Sequence, residues 1–147
     1  MICFTCAEQY MMYHKALIFN DTESAAKILK TKYPRQMKSF GRKIHGFDEL
    51  VWNKHKVAVV ERANLLKFTQ NKDLQELLLS TEDKTLAEAS PFDRVWGIGF
   101  TAENANINKK YWGQNLLGKA LMKVRKDLNE TVENTGGKHV NNSQQYM

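Results

Sequence analysis

Two short segments hold the residues whose types and spacing suit chemistry. The first, Phe4-Thr5-Cys6-Ala7-Glu8-Gln9-Tyr10-Met11-Met12-Tyr13-His14-Lys15-Ala16, sets one carboxylate and one amine in an almost wholly apolar helical pattern. Charged groups are rarely buried without a partner, because desolvating them costs several kcal/mol. Glu8 and Lys15 stand seven residues apart, close to two helical turns, so they project from one face with backbones about 10.5 Å apart along the axis. That separation is too long for a short ion pair and suits two groups holding a ligand between them in one cavity. The competing reading is a solvated face carrying two ordinary surface charges.

The second segment runs from Ser90-Pro91-Phe92-Asp93-Arg94-Val95-Trp96-Gly97-Ile98-Gly99 to Trp112-Gly113-Gln114-Asn115-Leu116-Leu117-Gly118. Glycines and tryptophans clustered at loop–helix junctions mark close approach of backbone or ring. Asp93 is a second carboxylate able to orient water or a sugar hydroxyl, or else a turn aspartate. A planar base can stack on Trp52, Trp96 or Trp112, although tryptophan is more often core than platform. Gly41-Arg42 offers a guanidinium and backbone amides to a phosphate. Asn115 lies at the expected start of the last helix, where amides favour anions or a side chain caps. Cys3 and Cys6 form a lone C-x-x-C that lacks the further ligands of a zinc site and reads as packing at a helix start. No phosphate-binding P-loop, G-x-G-x-x-G, H-E-x-x-H or G-x-S-x-G pattern occurs, and the histidines are not spaced for a metal. The expected chemistry is free of metal and cofactor.

Helical periodicity supplies the scaffold. It predicts helices over about Ala7–Phe19 and Thr22–Lys32, and a short one from Pro34 through Phe40. A long amphipathic helix follows over Phe47–Thr69, then another over Lys72–Ser80 with Asn71 as cap. Thr85–Ala89 reads as a short strand, Ser90–Tyr111 as a long structured loop and Gly113–Asn129 as the last helix. Loops of that length in compact domains are often functional. The segment after Asn129 is rich in Asn, Gln, Gly and Ser, without apolar periodicity, and reads as a disordered polar tail over residues 129–147. The fold class is thus mainly α, one helical domain over residues 1–128 with a few short β segments.

With 147 residues, 42% hydrophobic and 26% charged, the composition is that of a globular protein with a real core. No apolar run reaches the roughly 20 residues of a membrane span, and no leader-like start is seen, so a cytoplasmic protein is expected. The net charge of +6 points to an anionic partner such as a nucleotide, a phosphorylated metabolite or nucleic acid. The cations are scattered, so a solvated basic surface explains them equally well.

Taken in order, these residues resemble the NADAR superfamily, which includes the YbiA-like N-glycosidases. The resemblance rests on Phe4 to Met12 with Lys15-Ala16, Gly41-Arg42, Trp52, Lys67-Phe68, Leu77 to Thr81, Glu88 to Pro91, Asp93, Trp96 to Gly99, and Trp112 to Gly118 with Leu121-Met122 and Arg125. It implies a mostly helical hydrolase of the N-glycosidic bond between a ribose and a nitrogenous base. The substrates implied are phosphoribosylated riboflavin-pathway intermediates or ADP-ribosylated guanine, including that in nucleic acid. On this likeness Glu8 is the catalytic carboxylate with Lys15 beside it, and Asp93 and Trp52 match positions tied to activity or substrate. Arg42, Trp96 and Asn115 take phosphate, base or loop-ordering roles. Family members usually carry a further N-terminal, aromatic-rich segment before the region matching Phe4, and this chain opens on Met1-Ile2-Cys3. The alternative reading is a nucleotide- or ADP-ribose-binding module without turnover, and a third is a basic helical domain that binds nucleic acid.

Overall fold

A computed structural model describes residues 1–143, with side chains through Thr135. The chain divides into two compact units, Met1–Lys67 and Phe68–Met147. Among the described residues it is helical, with no strand.

The first unit is built on α1 (Ala7–Ile18), α2 (Thr22–Lys30), α3 (Pro34–Arg42) and most of α4 (Glu49–Gln70). Met12 and Ala16 from α1, Ala25 and Ile28 from α2, and Met37 from α3 form its core with Ile44. Polar groups fix how these helices meet. Gln9, fully buried, donates from Nε2 to the Ile28 carbonyl at 3.1 Å and accepts the Thr5 N–H at 2.7 Å, so α1 satisfies an open carbonyl near the end of α2. Asp21 caps α2, accepting the Ser24 N–H at 3.0 Å and its hydroxyl at 2.6 Å, and also takes the His45 N–H at 2.9 Å. The Ser24 hydroxyl, then the Ser24 and His45 amides, hold its carboxyl down at about 2. Pro34 opens α3 at its first turn, as expected. The long helix starts at Glu49 rather than Phe47 because Asp48 Oδ1 accepts the Leu50 and Val51 N–H groups at 2.8 and 3.3 Å.

The second unit contains α5 (Lys72–Leu79), the single-turn α6 (Ala102–Ala105), a 3-10 turn at Lys109–Tyr111 and α7 (Leu116–Ser143). Asn71 stands at the start of α5 without the expected side-chain cap bond. Leu78, Ile98, Ala120, Val124 and Leu128 are its buried apolar residues. Arg125, also buried, donates through Nη1 to Thr81 Oγ1 at 2.8 Å and to the Lys84 carbonyl at 2.9 Å. It therefore ties α7 to the turn after α5.

Three expectations change in this unit. Thr85–Ala89 does not form a strand: the Glu88 N–H goes to Asn115 Oδ1 at 3.0 Å, the Leu86 carbonyl accepts from Asn115 Nδ2 at 2.9 Å, and the Glu88 carbonyl accepts the Ile98 N–H at 2.9 Å. With those groups used by a side chain and a loop, no ladder remains to build. The last helix begins at Leu116, not Gly113, because the Gly113, Gln114 and Asn115 amides donate to the carbonyls of Ile98, Arg94 and Gly97. That helix also runs past Asn129 to Ser143, while residues 144–147 of the expected tail lie outside the described residues.

Gly118 packs where no side chain fits. A Cβ there would stand 2.2 Å from the Leu86 carbonyl oxygen and 2.4 Å from Asn115 Nδ2. Gly118→Ala is expected to lower stability by about 1–3 kcal/mol, as overpacking typically does, read as a lower denaturation midpoint. Asp21 supplies a pH signature: a depressed folded pKa gives stabilisation present above the unfolded value near 4. This stabilisation is lost as pH falls towards about 2. Asp21→Asn should flatten the stability profile across that window.

Candidate active site

Four of the seven candidate residues lie in the first unit, on α1, α3 and α4. Glu8 sits in the first turn of α1 and is half-buried. No ion pair within 4 Å involves it among the described residues. Burial pushes its carboxyl above the ordinary glutamate value, and the charges of Lys38 and then Lys15 pull back only part of the way. Lys15, two turns on, donates from Nζ to the Gly41 carbonyl at 3.0 Å. Its ammonium lies 4.7 Å from the centroid of the Phe47 ring and 5.5 Å from that of Trp52, distances at which a cation is attracted by the ring face. Burial lowers its pKa, Glu8 opposes that and Arg42 adds to it. Trp52 is buried on α4, so it is core with a cation over its face rather than an exposed platform.

The local sequence explains this convergence. Gly41 lets α3 come against α1, for a Cβ there would meet Met12 Sδ at 2.2 Å. Met12 lies on the inner face of α1, between Glu8 and Lys15 in sequence. The same contact that buries Met12 thus delivers the Gly41 carbonyl to Lys15 and Arg42 to its neighbourhood. Sequence reasoning missed Phe47, which it placed inside a helix, and Lys38. The signal for Lys38 is its position one turn before Arg42 on a helix without a carboxylate.

Asp93, Trp96 and Asn115 belong to the second unit. Asp93 Oδ1 accepts the Val95 and Trp96 N–H groups at 2.9 Å each, which is the turn role, and positions the half-buried Trp96 through its backbone. Asn115 takes a positive φ of 52°, tolerated by Asn. Its side chain is consumed by Leu86 and Glu88. The Leu116 and Leu117 amides at the start of α7 donate to the Val95 and Trp96 carbonyls at 3.1 Å, so the anion-binding end of this helix is occupied by the chain itself. A cavity of about 240 Å³ in this unit is apolar, lined by Phe68, Leu78, Leu86, Leu117 and Leu121, and no candidate residue lines it. No group of three or more His, Cys, Asp or Glu side chains suited to a metal occurs among the described residues. Cys3 and Cys6 are free thiols, and Cys6 Sγ lies 3.7 Å from Met37 Sδ, which is packing.

The pattern around Glu8 and Lys15 lies inside a match to the NADAR domain over residues 1–129. The chain belongs to the NADAR family. Over 126 residues it is 48% identical to an N-glycosidase of Acanthamoeba polyphaga mimivirus, a match covering 84% of this chain and 74% of that protein. It is 34% identical over 132 residues to the chloroplastic riboflavin biosynthesis protein PYRR of Zea mays, covering 85% of this chain and 20% of the maize protein. The NMR structure of the Escherichia coli protein YbiA superposes with a TM-score of 0.69 at 29% identity, covering 86% of this chain and 69% of that one. The NADAR match takes in all seven candidate residues, and this chain is mainly helical among the described residues. No helix among the described residues is long and apolar enough to cross a membrane.

A carboxylate held above its ordinary pKa by burial weakens the fold when charged. As pH rises from the unfolded value through the raised folded one, the folded state loses stability relative to a neutral isostere. Glu8→Gln should therefore unfold at a higher temperature than wild type at neutral pH, the difference shrinking as pH falls towards 4. A carboxylate placed for structure would give the opposite sign. Carbon-13 NMR titration of Glu8 should show its pKa rising further in Lys38→Gln than in Lys15→Gln, because Lys38 is the stronger opposing charge.

Proposed function

We propose that this NADAR protein is an N-glycosidase that hydrolyses the bond between a phosphorylated or ADP-linked ribose and a nitrogenous base. The observation that carries the reading is the juxtaposition on α1: a desolvated carboxylate with no ion-pair partner among the described residues, two turns from a desolvated ammonium over aromatic faces. Groups perturbed by burial and by specific charge partners cluster at functional sites. The likeness to an N-glycosidase at 48% identity supports the same reaction class.

Breaking a ribosyl C–N bond builds positive charge at the anomeric carbon as the base departs. Glu8, ionised, stabilises that charge or takes a proton from the attacking water, and the low polarity of its surroundings strengthens both effects. The logic is that of glycoside hydrolysis, where carboxylates face an oxocarbenium-like transition state. Lys15 has two possible uses. As a cation it fixes the field at Glu8, and its bond to the Gly41 carbonyl and its two aromatic neighbours favour that role. As a free amine, favoured by its lowered pKa, it adds to C1 of the ring-opened N-glycoside and expels the base, which leaves with a proton, giving a Schiff base that water then hydrolyses to free the sugar and the amine. We assign Lys15 the first role. In this reading Arg42 on α3 lines the substrate and Trp52 on α4 acts from the core, holding Lys15 over its ring. In the second unit, taken by itself, Asp93 spends Oδ1 on the turn and is a carboxylate suited to a sugar hydroxyl. Asn115 orders the loop of that unit that carries Asp93 and Trp96. The substrate is an ADP-ribosylated guanine or a phosphoribosylamino intermediate of riboflavin synthesis, the latter in keeping with the name of the maize relative. Free thiols at Cys3 and Cys6 suit the reducing cytoplasm.

The test is base release from ADP-ribosylated guanosine and from a phosphoribosylaminouracil. Glu8→Gln is expected to lower kcat by about 10²–10⁴-fold, the range for a positioned acid–base group. Because the ionised form acts, kcat/KM should fall with acid around a pKa above that of an ordinary glutamate, and this limb should vanish in Glu8→Gln. Lys15→Arg should retain much of the rate if Lys15 acts as a cation, and none if it forms a Schiff base. Release from neither substrate would refute the proposal.

A further inference from the structure

Helix α3, Pro34–Arg42, contains three cations and no carboxylate. Arg35, Lys38 and Arg42 are spaced i, i+3 and i+7, which puts them on one face, and all three are exposed. Like charges one turn apart destabilise a helix by about 0.2–0.5 kcal/mol per pair. The helix C-terminus favours Arg42 through its carbonyls, but Lys38 stands mid-helix and gains nothing from that end. The ion pairs found among the described residues, Lys27–Glu23 and Lys123–Asp127, involve neither.

The packing register shows where this face sits. Cys6 on the approach to α1 touches Met37, and Met12 and Lys15 both meet Gly41. Glu8 falls between Cys6 and Met12 along α1, so the α3 residues opposite it lie between Met37 and Gly41, and Lys38 is among them. Arg42 follows Gly41 beside Lys15. In agreement, Lys38 is the foremost charge acting on Glu8, and Arg42 acts on Lys15. One carboxylate is thus flanked by three cations, leaving an excess of positive charge next to the reaction centre.

We infer that Lys38 and Arg42 form a phosphate subsite that selects ribosyl substrates bearing an anionic 5′ group over the unphosphorylated ribosyl base. This rests on the N-glycosidase reading for its biological use, but binding alone can test it. Two cations one turn apart, about 6 Å along the axis, suit one phosphate bridged between them or the two phosphates of a diphosphate. Lys38 is then a specificity residue that the sequence alone did not reveal. The ribose is held with its anomeric carbon towards Glu8 and its 5′ oxygen towards α3.

The experiment is calorimetric titration of the whole 147-residue chain with ribose, ribose 5-phosphate and ADP-ribose, comparing wild type with Lys38→Gln, Arg42→Gln and Lys38→Arg. Wild type should bind both phosphorylated ligands more tightly than ribose, with affinity falling as salt rises. Lys38→Gln should weaken both by about tenfold, the equivalent of about 1.4 kcal/mol, and Lys38→Arg should restore most of that loss. A larger loss for ADP-ribose than for ribose 5-phosphate assigns the pair to a diphosphate; equal losses assign it to a single phosphate. The subsite is refuted if Lys38→Gln binds both within twofold of wild type, if it weakens ribose equally, or if wild type does not distinguish ribose from ribose 5-phosphate. Base-release assays separate the two proposals. Phosphate-dependent binding through Lys38 without turnover would leave the subsite and overturn the enzyme, whereas turnover with an unchanged KM in Lys38→Gln would do the reverse.

Discussion

The first unit depends on one close contact, the approach of α3 to α1 at Gly41 and Met12. A helix cannot bury one residue without fixing the direction of its neighbours three and four positions away. With Met12 and Ala16 turned into the core, Glu8 and Lys15 are held at its edge, half-buried. Neither charge is fully solvated there, and each finds only partial compensation. Lys15 has a carbonyl and two rings, while among the described residues Glu8 has the field of nearby cations and no ion pair. The same packing that stabilises the unit therefore creates the electrostatic tension at its site, and Gly41 serves both.

The second unit solves a different problem, that of giving a long irregular segment a single conformation. Its backbone polar groups must be paired, since a buried unpaired amide or carbonyl costs about 1–3 kcal/mol. Asn115 bonds to Leu86 and Glu88, and the amides from Gly113 to Leu117 bond to the 94–98 carbonyls. Glycines at 113 and 118 make room for that contact. The loop is thus fastened to the first turn of α7 as firmly as a strand would be to a sheet. Asp93 sits within a prepared turn, which uses its Oδ1 for the Val95 and Trp96 amides.

What the sequence revealed follows from the range of each interaction. The helices carrying Met12, Ala16, Ile28 and Leu78 were legible because apolar spacing is local. So was the turn around Asp93, whose partners are two and three residues away. The supposed strand at Thr85–Ala89 was misread because its pairing partner is a side chain 27 to 29 residues ahead. Trp52 could not be divided between platform and core until Lys15 was seen above its ring. Lys38 shows locally only as a cation one turn before Arg42 on a helix without a carboxylate; its significance depends on which residue of α1 lies opposite. Residue types and family resemblance together supplied the candidate set; the structure adds which polar groups are spent, Asn115 on Leu86 and Glu88, while no ion pair holds Glu8 among the described residues.

That distinction matters for charge balance. In the N-glycosidase reading the transition state is positive at the anomeric carbon, and one carboxylate faces it among several cations. Those cations would oppose the developing charge if nothing offset them, because low polarity strengthens repulsion as much as attraction. A phosphate on the ribose offsets them. It neutralises the α3 face before the bond breaks and leaves Glu8 as the nearest uncompensated charge when the base departs. Lys15, spread over two aromatic faces and a carbonyl, is then a fixed part of the scaffold rather than a competing charge. The site's surplus of positive charge is in this view half of a pair, and the substrate carries the other half.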